Sequence, residues 1–249
     1  MNKDVRPPGS PKSVTHVSRP PADADVASSD ASLGAAKPAG PGRPKDLGKR
    51  AAILESAKQM FTQHGFEGAS MDQIAAVAGV SKLTVYSHFG DKEALFAAAV
   101  KSHCEQQLPS SLFEPMPQVP LLERLLTIGH AFFAMVCAPT AVAGHRMLCT
   151  PQLSGSPLPM LFWEAGPKRV QSEFAALLER RIAAGELDIA DVPRAASQFF
   201  TLLKGEPHAR LVFGCGDPDA VVDTDAHVAA TVELFTRAYA TGARAGGPQ

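Results

Sequence analysis

The chain has 249 residues, 45% of them hydrophobic, with 24 Lys and Arg against 25 Asp and Glu. That is enough for one or two domains with a sizeable core, and it excludes a wholly disordered chain. A net charge of −1 does not by itself point to nucleic acid, but the charge is unevenly placed: residues 1–50 hold nine Lys or Arg against five Asp, about +4, so the remainder sums to about −5. The basic charge marks either an arm that meets a polyanion or a tail kept in solution.

Residues 1–41 are rich in Pro, Ser, Ala and Gly and contain no aromatic residue. Such a segment cannot bury enough apolar surface to offset its ordering entropy, so a disordered tail is expected. A basic arm follows over residues 42–48. Its Gly42-Arg43-Pro44-Lys45 stretch resembles the core of an AT-hook, in which an extended Arg enters the narrow minor groove of A·T-rich DNA. The other reading is a linker without a DNA role. In the first reading Lys49 and Arg50 reach flanking phosphates.

Residues 49–100 read as four helices. Ile53, Leu54, Ala57, Met60 and Phe61 recur at helical spacing, and Gly65 is expected to stop that helix. Ser70 stands three residues before Gln73, the spacing of a capping box. The second helix is expected to bury Ile74 and Val77. Gly79 breaks it, Ser81 caps a third helix anchored by Val85 and Phe89, and Asp91 caps a fourth with Leu95, Phe96 and Val100 inward. Two short helices joined by a glycine-containing turn make a helix-turn-helix. The third helix is the one suited to a major groove, with donors on Ser81, Lys82, Thr84, Tyr86 and His88.

The run Gly79-Val80-Ser81-Lys82-Leu83-Thr84-Val85-Tyr86-Ser87-His88-Phe89-Gly90-Asp91-Lys92-Glu93-Ala94-Leu95-Phe96 closely resembles the DNA-binding domain of the TetR family of bacterial repressors. The resemblance implies that Lys82 and Leu83 face bases, while Ser70, Thr84, Tyr86, His88 and Lys92 hold phosphates. Phosphate contacts position such a reader and base contacts specify its sequence. Tyr86 and His88 have a structural reading too, within their own short helix. Leu83 stands where the family most often has a small residue, and Ser87 where a larger polar one is common.

Residues 101–241 read as further helices with no convincing strand. Prolines 109, 115, 117 and 120 make a connection, and a largely apolar helix follows to about Cys137. A short helix spans about Thr140 to Cys149. A long one runs from Pro157–Pro159 to about Ala184 with a disturbance at Gly166-Pro167. Asp191 caps a helix that a kink at Pro207 extends toward Gly214. Asp217 and Asp219 precede a last helix over roughly 220–240, and residues 242–249 look frayed. The Phe199–Gly214 segment resembles the C-terminal domain of AefR-like TetR regulators, which implies dimerisation through the last two long helices. Phe199, Leu202, Leu203, Val228, Val232 and Phe235 would then face a second copy, or else close the protomer's own core. A small apolar or amphipathic effector is expected between the helices, with His130, Phe133, Met147, Phe162, Trp163 and Phe174 as candidate lining.

An enzyme is the competing class. The spacing of Glu173, Glu179, Glu186 and Asp188 supports no catalytic base or nucleophile arrangement, and Gly214-Cys215-Gly216 is no phosphate loop. Cys104, Cys137, Cys149 and Cys215 are scattered without Cys-x-x-Cys pairs, so buried thiols are expected rather than a metal or redox centre. No cofactor is expected. No apolar run is long enough to span a bilayer, and the first residues hold no apolar signal core, so a cytoplasmic location is expected. The expected architecture is all-α: a three-helix helix-turn-helix domain, then a larger helical effector and dimerisation domain. The expected function is a homodimeric repressor acting on a palindromic operator. An architectural DNA binder without effector remains the alternative.

Overall fold

The computed structural model describes residues 46–215 and 223–241, all of it helix, turn and loop apart from one isolated bridge between Leu187 and Ala240. The tail, Arg43, Lys45, Asp217, Asp219 and residues 242–249 lie outside the described residues. The elements are α1 (Leu47–Gly68), α2 (Met71–Val77), α3 (Lys82–Phe89), α4 (Lys92–Gln107), α5 (Leu121–Cys137), α6 (Pro139–Leu148), α7 (Leu158–Ala165), α8 (Pro167–Ala183), α9 (Val192–Phe213) and α10 (Thr224–Tyr239).

α1 starts earlier than expected because Asp46 caps it, accepting from Gly48 N at 3.0 Å and Lys49 N at 3.2 Å. Gly65 has the positive φ foreseen, +69°, yet it kinks the helix instead of ending it. One further turn runs to Gly68 because Phe66 gains a place in the core, against Phe61 and Phe96. The amide freed at the kink is satisfied from outside the helix: Phe66 N donates to Met147 Sδ of α6 at 3.2 Å. Ile53, Leu54, Ala57, Met60 and Phe61 are all buried, as their spacing requires. Val77 departs from expectation and is 52% exposed; with only seven residues, α2 has room for one buried stripe, taken by Met71, Ile74 and Ala75.

The proline-rich connection between α4 and α5 lacks the amides that would satisfy its own carbonyls. Arginines supply the donors instead. Arg124, 6% exposed, donates to Ser111 O (2.9 Å) and Glu114 O (3.0 Å). Arg181 donates to Val119 O (2.9 Å), and Arg180 to Phe113 O. Arg169 closes the end of α4 by donating to Leu108 O (3.0 Å) while its other nitrogen grips both oxygens of Glu173.

α9 bends at Gly205 (φ +48°), two residues before Pro207. Pro207 has no N–H, so Leu203 O loses its partner four residues on. His227 of α10 fills the gap, its Nε2 lying 2.8 Å from that oxygen. The larger core joins α5, α8, α9 and α10 around Phe174, Phe199, Leu203, Val228 and Phe235. α5 and α10 approach closely at Gly129, where an added Cβ would lie 2.8 Å from Val228 Cγ1.

This core corrects the assignment of the dimer face. Phe199, Leu203, Val228 and Val232 are 0% exposed and Phe235 is 2% exposed within one protomer. They close its own interior. Of the six residues considered, Leu202 alone stays outside, at 41%. An amphipathic helix in a two-layer domain turns its most apolar stripe inward first.

Candidate nucleic-acid interface and effector cavity

α3 is held by its two anchors: Val85 is 0% exposed and Phe89 8%. Ser81 caps it, accepting from Thr84 N at 3.1 Å, and its Oγ lies 2.8 Å from Thr84 Oγ1. α2 is fixed by the capping box foreseen: Gln73 N donates to Ser70 Oγ (3.2 Å) and Ser70 N donates to Gln73 Oε1 (2.9 Å). The opposite side of α3 presents Lys82, Leu83 (78% exposed) and Tyr86 (42% exposed) to solvent. An exposed Leu on a short helix is costly in water and useful against a thymine methyl in a major groove.

The cations around this face are only loosely committed. Lys82 pairs with Asp72 of α2 at 2.8 Å, both side chains exposed, and Lys49 lies 3.6 Å from Asp46. Both pairs are exposed enough for phosphate to replace the carboxylate. Arg50 lies over the Phe89 ring at 4.9 Å and Lys92 over Phe66 at 4.3 Å, so aromatic faces position both heads while their N–H groups stay available. His88 is half-buried beside Phe89, and its buried Nδ1 has no hydrogen-bond partner.

A cavity of about 190 Å³ lies where α1 and α4 meet α5 to α9. Met147, Phe162 and Trp163 line it, as expected. His130, Phe133 and Phe174 do not. Phe174 is 0% exposed and stacks on Phe199 at 4.6 Å; Phe133 packs on His227 at 5.0 Å; His130 faces Asp225 at 3.6 Å. Helical spacing did not separate core from cavity for the two phenylalanines, and it did not show that His130 is partly exposed. Lys204, His145 and His103 line the cavity and were missed. The signal for Lys204 was present: a single charge at the end of the apolar run Phe199-Phe200-Thr201-Leu202-Leu203, just before Gly205.

His145 Nδ1 lies 3.1 Å from His208 Nε2. Burial, then the neighbouring His208 and Lys204, pushes the His145 pKa down to about 4, and burial lowers that of Lys204. Burial also raises Cys104, and lifts Cys137 to about 11, so neither is a reactive thiolate. Among the described residues there is no group of three or more potential metal ligands, and no single helix is long and apolar enough to cross a membrane.

A capped, solvent-facing α3 on a small helical domain, joined to a larger helical domain with a cavity between them, defines a helix-turn-helix transcriptional regulator. Residues 53–99 match the bacterial regulatory proteins of the tetR family, and residues 123–241 match the AefR-like transcriptional repressor C-terminal domain. The chain belongs to the TetR family. It is 32% identical over 145 residues to the HTH-type transcriptional regulator RutR of Escherichia coli K12, a match covering 56% of this chain and 64% of RutR. The flavonoid-responsive regulator FrrA shares its fold at a TM-score of 0.62 and 31% identity, over 79% of this chain and all of FrrA. A TetR-family regulator from Mesorhizobium loti superposes at 0.66 with 26% identity, over 80% of this chain and all of that one. These relatives are transcriptional regulators and not enzymes.

Proposed function

We propose that the chain is a homodimeric repressor that reads a palindromic operator with paired α3 helices and is released by a small effector bound in the cavity. The observation that carries the DNA reading is the division of α3: Val85 and Phe89 buried, Lys82, Leu83 and Tyr86 exposed on the other side. Lys82 and Leu83 are assigned to bases. Ser70, Ser81, Thr84, Tyr86, His88 and Lys92 are assigned to phosphates, with Lys49 and Arg50 alongside them. Arg43 and Lys45 are assigned to the adjoining minor groove. Such a regulator would act in the cytoplasm.

The dimer surface moves to the outer faces of α9 and α10. There Leu202 and Leu234 are 41% and 54% exposed, and Ala226 and Ala230 leave room for close helix approach. Two α3 helices must sit about 34–36 Å apart to enter successive major grooves. The cavity supports effector release because Phe61 of α1 and Phe96, Val100 and His103 of α4 form one wall. A ligand there bears directly on the helices that carry α3, and couplings of this kind are typically ~1–3 kcal/mol. FrrA, similar in fold over 79% of this chain, is a flavonoid-responsive regulator, which supports a small-molecule effector here. A purely architectural DNA binder would have no use for the cavity.

The test is Thr84→Ala combined with Tyr86→Ala, measured by gel shift. Loss of affinity for specific and unrelated duplexes alike is expected, because phosphate contacts carry no sequence information. Unchanged affinity would sink the assignment.

A further inference from the structure

We propose that the cavity takes a small organic anion, a carboxylate or acidic phenol with an apolar body, whose charged head pairs with Lys204. This rests on the effector reading of the same cavity and adds the ligand's class to it.

The argument begins with an imbalance. Lys58 and Lys204 both line the cavity, and no Asp or Glu does. Lys58 has its own counter-charge, Glu55 at 2.8 Å, and a further bond to Gln106 at 2.9 Å. Lys204 has no acidic partner among the described residues. An ammonium withdrawn from water into an apolar site is unfavourable unless an anion or strong acceptors meet it. Among the described residues nothing does so, and burial accordingly weakens its hold on the proton.

The neighbours extend the preference. His145 is held neutral at pH 7 with Nδ1 toward His208; in the tautomer where His208 Nε2 donates to that Nδ1, His145 Nε2 carries the hydrogen and can donate to an anion. His103, also in the lining, has a buried Nε2 with no hydrogen-bond partner. The polar groups of the site are therefore a cation and imidazole nitrogens, while the rest of the wall is Phe132, Phe162, Val170 and Phe200. A cationic ligand would meet Lys204 head-on. A neutral apolar ligand would leave Lys204 unpaired. An amphipathic anion satisfies both parts. The volume of about 190 Å³ lies below the ~300–1,000 Å³ of pockets for drug-sized ligands, so the apolar body is a short chain or one to two rings.

The experiment is calorimetric titration of the full-length protein with two matched pairs: naphthalene-2-carboxylate against naphthalene-2-carboxamide, and octanoate against octan-1-ol. One hydrogen-bonded charge pair is worth about ten-fold or more in affinity. At least one acid is expected to bind about ten-fold tighter than its neutral mate. The ring pair and the chain pair tell which body fits. Lys204→Met should abolish the preference, Lys204→Arg should keep it, and Lys204→Gln checks the Met result in a polar replacement. Lys204→Met should also raise the melting temperature of the unliganded protein, since it removes an uncompensated, partly buried charge. Neutral mates binding as tightly as the acids, a preference that survives Lys204→Met, or refusal of both acids would overturn the proposal. If an acid binds as described yet leaves operator affinity unchanged, the anion site stands and the effector reading of the cavity fails.

Discussion

Gly166, between α7 and α8, is a close approach on which the seat of α4 depends. A Cβ built there would lie 2.8 Å from Cys104 Sγ and 3.4 Å from Val100 Cγ1, both on α4. Its φ is negative, −125°, so Gly166→Ala acts first through overpacking. Cys104 is 7% exposed and lines the cavity, so its sulfur can give way only by turning into that space. Overpacking of this kind typically costs 1–3 kcal/mol, and we expect about 2 kcal/mol here. For a folded body of this size that lowers the melting temperature by ~4–8 °C. The diagnostic is a double-mutant cycle. Cys104→Ala alone should destabilise by about 1 kcal/mol through lost packing. In combination with Gly166→Ala it frees the space the new methyl needs, so the pair should be less destabilising than the sum by ~1–2 kcal/mol. Urea melts followed by circular dichroism give all four values. Strict additivity, within about 0.5 kcal/mol, would refute the reasoning and with it the tight seating of α4 on the α7–α8 junction.

Other perturbations follow from the same geometry. Ser81→Ala removes the cap of an eight-residue helix and a proposed phosphate donor, about 1 kcal/mol for each α3, so the melting temperature should fall by ~2–4 °C and a dimer should lose ~30-fold in operator affinity by fluorescence anisotropy. Leu234→Arg places a charge on the outer face of α10 and should weaken the dimer about ten-fold or more in sedimentation equilibrium; an unshifted association constant would move the interface elsewhere. His145 ionises less readily when folded, at about 4 against an ordinary 6.5, so the unfolded chain binds the extra proton first. Its contribution to stability is therefore intact above pH 6.5 and lost as pH falls from there toward 4. His145→Gln should flatten that decline by on the order of 1–2 kcal/mol, discounted for partial exposure; an unchanged slope would contradict the buried neutral imidazole.

Local rules carried much of the fold. The capping box at Ser70 and Gln73, the caps at Ser81, Asp91 and Asp191, and the break at Gly166-Pro167 each involve residues within a few positions of one another, and each stands in the structure as expected. The resemblance to TetR proteins over the Gly79–Phe96 run then gave the class. What escaped were features decided between distant segments. Gly65 looked like a stop because the sequence does not reveal that Met147, 81 residues away from Phe66, receives the freed amide. Phe199 and Val228 looked like dimer contacts because periodicity shows that a stripe is buried, not what buries it. Phe174 looked like pocket lining for the same reason. Lys204 was passed over although a lone charge in an apolar run is the better sign of a cavity than another phenylalanine.

The central claim is sequence-specific reading of DNA by paired α3 helices. Selection from a random duplex pool with the purified full-length protein, followed by titration of the winning site against salt, tests it most directly. The account predicts a palindromic consensus with half-site centres about 10 bp apart or a multiple of that, and an affinity that falls with log salt by about 0.9 for each phosphate neutralised. Recovery of no consensus by effector-free protein, with weak binding even at low salt, would contradict it.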